Sequence, residues 1–359
     1  MDPRLNPYAP GAGTPPPELA GRDDLIERGA VALDRIRAGR PARSFILYGL
    51  RGVGKTVLLN RIQRDAEARG LTTVKMEAPE DRSLPALLVP HLRSLLLRLS
   101  RGEKVKAKIG QAQSALAGFV RALKLKYQDL EVALEHWPEP GLADSGDLET
   151  DLAALLIAVG EAAAEQGTAA VLFIDELQYV VEEQLAALVS GFHQANQAQV
   201  PVTMMGAGLP QIVSQTGKAK TYAERLFEFV PIDRLDVAAA RAALCVSAKR
   251  EAVAFDEGAI AEILRQTLGY PYFLQEWGKH SWDVADESPI GAMNAEHATE
   301  RALAELDASF FRVRFDRLTP AEKRYLRAMA ELGPGPHRSG DIAERMQRKV
   351  TTVARCEIH

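Results

Sequence analysis

A glycine-rich motif within residues 44–60 constrains the fold of this chain more than any other feature. The apolar run SFILY leads directly into GLRGVGKT, and apolar residues at helical spacing follow. This succession of strand, loop and helix matches the pattern G-x-x-x-x-G-K-S/T, whose glycines let backbone N–H groups converge on phosphate oxygens. In that pattern Lys55 reaches the β and γ oxygens and the Thr56 hydroxyl ligates Mg²⁺. We therefore predict a site for ATP and Mg²⁺ that includes Gly49, Gly52, Gly54, Lys55, Thr56 and Val57.

A second apolar run, AAVLFID, ends in the acidic pair Asp175 and Glu176. A carboxylate at the end of such a strand can hold Mg²⁺, usually through water, and the glutamate after it can polarise the attacking water. Two acids that merely solvate the start of a helix leave the same pattern, but the phosphate-binding motif upstream favours the catalytic interpretation. We predict Asp175 as a metal ligand and Glu176, together with Lys55, as catalytic.

Five short apolar runs alternate with helical patterns, which predicts a parallel α/β sheet covered on both faces. The runs span 44–49, 71–78, 169–175, 200–208 and 225–232. One run separates the strand of the phosphate-binding loop from the strand of the acidic pair. This order resembles the ASCE division of P-loop NTPases, which implies the sheet order 5-1-4-3-2. Small-molecule kinases usually lack the glutamate, so the pattern disfavours a metabolic kinase.

Proline and glycine content and the change from strand to helix patterns divide the chain into segments. The Pro/Gly-rich residues 1–20 cannot form a regular helix or an inner strand, and we expect an extended arm that can lie across a neighbouring surface. The predicted ATPase core spans 21–233 and contains a less regular insertion, 79–143, whose Arg and Lys side chains form either a partner surface or solvated helix faces. Strand patterns then stop, and 234–310 is expected to form a helical lid. Residues 315–359 have a helix-turn-helix rhythm.

Charge and cysteine content exclude several classes of protein. The net charge of −4, from 44 Lys and Arg against 48 Asp and Glu, gives no global attraction to nucleic acid or to an anionic membrane. Cys245 and Cys356 match no metal-ligand spacing and indicate no disulfide, as expected of a protein in a reducing cytoplasm. No apolar run approaches the roughly 20 residues that span a bilayer, so we expect no membrane partner.

Several motifs together resemble AAA+ ATPases of the origin-recognition type, which shade into the STAND signalling ATPases. They are ELAGRDDLIERGAVAL, FIDELQYV, VTMMGAGLP and the C-terminal helix-turn-helix, and the resemblance covers nearly the whole chain. It implies that Gly21 and Arg22 lie near the adenine and that Thr203, the only polar side chain of its strand, senses the γ-phosphate. The lid carries GYPY instead of a sensor-2 arginine. This is similar to the Gly-x-Pro element of STAND proteins, implies a nucleotide contact by Pro271, and favours a slow switch over a fast motor.

Arg225 stands where such families place an arginine just before the fifth strand. By resemblance it would act on the γ-phosphate bound to a neighbouring subunit, which implies a homo-oligomer. A surface ion pair with Glu224 or Glu228 explains the same residue equally well.

The C-terminal segment resembles a winged helix and is locally basic. Residues 311–359 hold eleven Arg and Lys against six Asp and Glu. Such an excess suits duplex DNA, with Arg348, Lys349 and Arg355 as the expected contacts. The two-stranded wing does not follow, so we expect a partial winged helix, and a small helical module for packing or partner contact is the alternative.

These features together predict a protein that binds ATP and ADP and hydrolyses ATP slowly. Its predicted role is a nucleotide-dependent switch or remodeller, with DNA among the candidate partners. The alternative is a nucleotide-stabilised module that assembles with protein partners without turnover.

Overall fold

A single parallel sheet forms the centre of the molecule. The computed structural model describes residues 1–11, 13–78, 80, 83–100, 106–124 and 142–348. Its strands are β1 (Ser44–Tyr48), β2 (Thr72–Glu77), β3 (Ala170–Asp175), β4 (Val202–Gly208) and β5 (Phe227–Pro231). All neighbouring strands are parallel and their order is β2-β3-β4-β1-β5. This is the predicted order 5-1-4-3-2 read from the other edge, so the predicted fold class is confirmed.

Helices cover both faces of the sheet, as the near-continuous apolar strands require. Along β3, Val171 and Phe173 face one layer while Leu172 and Ile174 face the other, and all four are fully buried. The helices of the two layers are α1 (Asp23–Arg37), α2 (Lys55–Ala68), α3 (Leu84–Leu99), α4 (Lys106–Ala122), α5 (Leu148–Glu165), α6 (Glu182–Gln197), α7 (Gln211–Ala219) and α8 (Ala223–Leu226). Helices α3 and α4 belong to the predicted insertion, and their apolar faces complete the larger of the two cores.

Four further helices pack around a separate apolar core. They are α9 (Val237–Arg250), α10 (Glu257–Thr267), α11 (Pro271–Val284) and α12 (Ala292–Leu306). Pro271 opens α11 as the sequence predicts, because the first helical position needs no N–H donor. We call these four helices the lid helices. Within the described residues, no helix combines the length and apolar character needed to cross a bilayer.

The N-terminal arm is bound along the lid helices. Tyr8 is only 4% exposed, and its hydroxyl donates to the carbonyl oxygen of Leu244 at 2.6 Å. Its ring lies against Gly278, where an added Cβ would come within 2.6 Å of a ring carbon. Trp282 Nε1 donates to the carbonyl oxygen of Asp2 at 3.0 Å. The expected extended arm therefore lies on a surface of its own chain and shares the apolar core of the lid helices.

Short helices follow the lid helices. A π-helical turn (Asp307–Phe311) leads into α13 (Arg312–Arg317), α14 (Pro320–Glu331) and α15 (Ser339–Arg345). Helices α14 and α15 pack through Ala328, Ile342 and Ala343. The expected third helix, with Lys349 and Arg355, lies outside the described residues, so the winged helix stays a prediction.

Candidate nucleotide-binding site

The glycine-rich motif forms the loop between β1 and α2. Gly52 and Gly54 have φ values of +87° and +93°, a region that residues with a Cβ rarely adopt. At Gly49 an added Cβ would lie 2.0 Å from the carbonyl oxygen of Ile232, so no side chain fits there. The first-turn N–H groups of α2 point toward this loop, because the N-terminal donors of a helix have no partner within it. The loop therefore offers backbone donors to an anion.

Lys55 lies beneath the loop and is only 6% exposed. Its Nζ donates to the carbonyl oxygens of Gly49 and Leu50, both at 2.9 Å. Burial lowers the pKa of Lys55, while the carboxylates of Glu176 and Asp175 nearby act in the opposite direction. A phosphate oxygen would replace these neutral acceptors with a charge-assisted partner, which forms a stronger hydrogen bond.

The acidic pair lies at the end of β3, whose last residue is Asp175, and both carboxylates interact electrostatically with Lys55. Asp175 is buried, and its Oδ1 accepts a hydrogen bond from the Glu176 N–H at 2.9 Å. Glu176 has a φ of +54°, a left-handed conformation that costs energy for a residue other than glycine and is frequent at functional sites. The structure thus brings together the three predicted residues Lys55, Asp175 and Glu176, although they come from two different strand ends.

Gln178 is a site residue that the sequence analysis missed. Its Nε2 donates to Glu176 Oε2, while its Oε1 accepts the N–H of Leu209 at 3.0 Å. The buried amide therefore links the predicted catalytic glutamate to the end of β4. Only its position two residues after Glu176 could have indicated this role, because the contact with Leu209 depends on strand pairing.

The first turn of α11 contacts the glycine-rich loop directly. The Tyr270 hydroxyl donates to the carbonyl oxygen of Arg51, and the N–H of Tyr272 donates to the carbonyl oxygen of Gly52 at 3.2 Å. A Cβ on Gly52 would lie 3.0 Å from the Tyr270 ring and 3.1 Å from Tyr272 Cβ. Pro271 lies between these two tyrosines and lines the adjacent cavity.

A cavity of about 420 Å³ lies between the loop, the lid helices and the arm. This volume is within the usual range for small-molecule sites. The loop contributes residues 51–57, Glu176 lies at one side, and the arm contributes residues 9–11, 13, 14, 16 and 18–20. The arm comes close to the expected metal ligand, since a Cβ added to Gly13 would lie 3.3 Å from Thr56 Cγ2. Thr56 and Val57 both line the cavity.

Arg51 and Arg314 come from distant parts of the chain and both line this cavity. The guanidinium carbon of Arg314 lies 3.3 Å from the centroid of the Phe310 ring. Partial burial lowers the pKa of Arg314, and the positive charge of Arg51 lowers it further. Arg51 donates to the Tyr179 hydroxyl at 2.6 Å, and within the described part of the chain neither arginine forms an ion pair. No sequence pattern connected Arg314 with the loop, because only the packing of the segment after α12 places it there.

Thr203 does not belong to this site, so the prediction that it senses the γ-phosphate is wrong. It is the second residue of β4, and its hydroxyl lies 2.8 Å from the hydroxyl of Ser44, the first residue of β1. The glycine-rich loop follows the other end of β1. At about 3.3 Å per strand residue, the five residue steps from Thr203 to Gly208 span roughly 16 Å, too far for a phosphate contact.

Gly21 and Arg22 have different positions relative to the cavity. Arg22 lines it, and its guanidinium donates to the carbonyl oxygen of Asp233. Burial lowers the pKa of Arg22, although Asp233 and Asp236 partly compensate. Gly21 instead packs against α9, where an added Cβ would lie 2.6 Å from the Cβ of Ala239. An adenine contact by Arg22 stays a prediction.

Arg225 lies on the surface in α8, immediately before β5. The amino end of β5 is paired with Ser44, so Arg225 is at the opposite end of the sheet from the glycine-rich loop of its own chain. One of the two alternative ion pairs is not formed, because Glu228 pairs with Arg28. Within the described residues Arg225 has no ion-pair partner.

The parallel sheet and its glycine-rich loop define a P-loop nucleotide-binding protein. The chain belongs to the AAA ATPase domain family, whose model matches residues 18–205. This match confirms the predicted AAA+ resemblance. A second family model, described as Domain of unknown function (DUF8462), matches residues 308–356.

Solved structures of similar fold include three archaeal and bacterial proteins. The Walker-type ATPase paby2304 of Pyrococcus abyssi has 17% identity and a TM-score of 0.60, with 96% of this chain and 87% of that chain covered. The Aeropyrum pernix ORC1 protein in complex with DNA has 16% identity, a TM-score of 0.48 and coverage of 95% and 83%. The Thermotoga maritima RuvB Holliday junction branch migration motor has 14% identity and a TM-score of 0.49, with 96% of this chain and 88% of that chain covered. A comparison with curated proteins gave no match.

Proposed function

We propose that the chain binds ATP with Mg²⁺ in the cavity above the glycine-rich loop and hydrolyses it slowly. The observation that carries this proposal is that Lys55 and Glu176 line one cavity beside the loop, with Asp175 hydrogen-bonded to Glu176 at the end of β3. Hydrolysis of ATP needs a cation that binds the phosphates, a carboxylate that binds the metal and a second carboxylate that activates the water. ATP is available in the cytoplasm, and we propose that compartment for the protein.

Each residue has a distinct part in the proposed reaction. Lys55 exchanges its two carbonyl partners for the β and γ oxygens of ATP. The Thr56 hydroxyl and the Asp175 carboxylate are oxygen ligands, which suit Mg²⁺, and the bound ion would neutralise charge on the phosphates. Glu176 accepts a proton from the attacking water as the oxygen of that water bonds to the γ-phosphorus. The bond between the γ-phosphorus and the oxygen that bridges it to the β-phosphorus breaks, and ADP leaves.

We propose a switch in preference to a fast motor because the lid helices are joined to the loop. Two hydrogen bonds connect Tyr270 and Tyr272 to the backbone of Arg51 and Gly52. The arm covers another side of the cavity. Exchange of nucleotide through this opening requires such contacts to break, and steps of that kind often limit turnover. The ATP and ADP states would then differ in the position of the lid helices.

Replacement of Glu176 by glutamine tests the proposal. Glu176→Gln keeps the size and hydrogen bonding of the side chain but cannot accept the proton, so phosphate release should slow by roughly 10²-fold or more while ATP affinity is retained. Glu182→Gln, at an exposed position at the start of α6, is the matched control. Lys55→Ala should instead weaken ATP binding by more than about tenfold, or roughly 1.4 kcal/mol, in calorimetric titration.

The same assays distinguish the alternative function. If the parent chain binds ATP but releases no phosphate above background, it is a nucleotide-stabilised module without turnover. If Glu176→Gln hydrolyses ATP at the parental rate, another residue supplies the base. An Asp175→Asn variant should lose Mg²⁺-dependent binding or turnover, and normal behaviour of this variant would remove Asp175 from the metal site.

Duplex DNA is a second proposed partner, and the basic character of the C-terminal helices supports it. Arg348 is exposed at the end of the described chain, and its side chain has no ion-pair partner there. Repeating the phosphate-release assay with duplex DNA at several salt concentrations tests this proposal. Counterion release requires any stimulation to fall steeply with salt, and stimulation that survives deletion of 315–359 would assign the contact to another surface.

A further inference from the structure

Three side chains that commonly bind metals meet between two lid helices. Glu276 and His280 are one turn apart on α11, and Glu305 lies in the last turn of α12. His280 Nε2 is 3.2 Å from Glu305 Oε2 and 3.9 Å from Glu276 Oε2. The three possible ligand atoms all lie within 4.8 Å of one another. This cluster is outside the nucleotide site and has no role in the proposed ATPase reaction.

Two of these groups are buried without the partners they need. Glu276 is 5% exposed and His280 is 7% exposed. Neither Glu276 Oε2 nor His280 Nε2 has a hydrogen-bond partner. A buried polar atom without a hydrogen-bond partner costs free energy. A cation between the three atoms would give Glu276 Oε2 and His280 Nε2 the partner that each of them lacks.

The remaining atoms of the cluster are held by neighbouring side chains. The Tyr272 hydroxyl donates to Glu276 Oε1 at 2.8 Å, which orients the carboxylate and leaves Oε2 toward His280. Lys279 Nζ is 3.3 Å from Glu305 Oε1 and likewise leaves Oε2 toward His280. Supporting hydrogen bonds of this kind fix the ligands of metal sites.

We propose that Glu276, His280 and Glu305 bind a Zn²⁺ ion, with water in the fourth position. Imidazole nitrogen and carboxylate oxygen both bind zinc, and three protein ligands leave the fourth position open for water, whereas Mg²⁺ and Ca²⁺ prefer oxygen ligands alone. Zinc–ligand distances of about 2.0–2.2 Å place tetrahedral ligand atoms roughly 3.3–3.6 Å apart. The 3.2 Å between His280 Nε2 and Glu305 Oε2 is close to this range, and Glu276 Oε2, 3.9 Å from His280 Nε2, would have to move closer by side-chain rotation.

The test is calorimetric titration of the untagged full chain with ZnCl₂ after removal of metals by a chelator. The titration is done without nucleotide. It is repeated with excess Mg²⁺ and with the Asp175→Asn variant, so that Zn²⁺ binding at the ATP site is excluded. One Zn²⁺ should bind per chain. Glu305→Gln should reduce the affinity by more than roughly tenfold, since it removes a ligand. Its side chain is 51% exposed, so the variant should fold.

Glu300→Gln is the matched control, because it removes the same charge from an exposed position of the same helix. His280→Gln and His297→Gln form a second pair. The visible absorption of bound Co²⁺ should be present in the parent chain and in both controls and absent from the ligand variants. Absence of saturable Zn²⁺ binding, or equal affinity of Glu305→Gln and Glu300→Gln, would overturn the proposal.

Discussion

The φ of Glu176 is +54°, and its carboxylate accepts a hydrogen bond from Gln178. A backbone conformation of this kind costs of order 1–3 kcal/mol and persists only where the surroundings impose it. Here Gln178 contributes to those surroundings, because its amide is anchored to the N–H of Leu209. We infer that Gln178 is a positioning residue for the proposed base.

Gln178→Met keeps the size of the side chain and removes both hydrogen bonds. We expect kcat to fall by about tenfold, or roughly 1.4 kcal/mol in the barrier, with ATP affinity unchanged, because only the position of Glu176 is affected. Phosphate release at saturating ATP and calorimetric titration measure the two quantities. Gln194→Met, at an exposed position of α6, is the control. A higher kcat would show that Gln178 restrains Glu176 instead.

At the scale of elements, the N-terminal arm behaves as part of the lid helices. Apart from a 3₁₀ turn at Pro3–Leu5, the described residues of the arm form no regular helix, as its proline and glycine content predicts. The arm is nevertheless bound, because Tyr8 fills a space that Gly278 leaves in the core of the lid helices. The following residues then form one wall of the nucleotide cavity.

Tyr8→Ala should therefore destabilise the protein by roughly 3–5 kcal/mol, the usual cost of removing a buried aromatic side chain. Leu5→Ala provides the control on the same arm, since Leu5 is 54% exposed. Its effect should stay within about 0.5 kcal/mol, as for most surface substitutions. Urea unfolding followed by circular dichroism measures both variants. Equal and small effects would show that the arm is not bound to the lid helices.

At the scale of the whole molecule, the position of Arg225 suggests action between chains. It is exposed at the end of the sheet opposite the loop, where no phosphate of its own chain can reach it. We propose that it approaches the γ-phosphate of a neighbouring copy. Turnover per chain should then rise with protein concentration, and Arg225→Ala should abolish the rise while ATP affinity is retained, because such an arginine stabilises charge only in the transition state.

A dilution series of the phosphate-release assay measures this dependence. Arg64→Ala, which changes an exposed arginine of α2, should behave as the parent chain. Turnover that does not change with concentration, together with normal activity of Arg225→Ala, would return Arg225 to the role of a surface residue.

The sequence by itself determined the sheet, the glycine-rich loop and the acidic pair. These features are local, because a strand, a turn and a helix start are encoded by neighbouring residues, and Lys55 and Glu176 each follow a recognisable strand. The local pattern could not predict the position of Thr203 relative to the loop. Its polarity made it a candidate for contact with the nucleotide, but only the pairing of β4 with β1 showed that it lies at the end of the sheet away from the loop.

Only the tertiary structure decided which distant residues surround the site. Tyr8, Gln178 and Arg314 come from three separate segments, and long-range packing, not sequence spacing, places them around the cavity and the lid helices. The same holds for Glu305, which reaches His280 only because α11 and α12 pack together. Periodicity shows which face of a helix is apolar. It does not show which other helix will cover that face, because that choice depends on the fit of all elements at once.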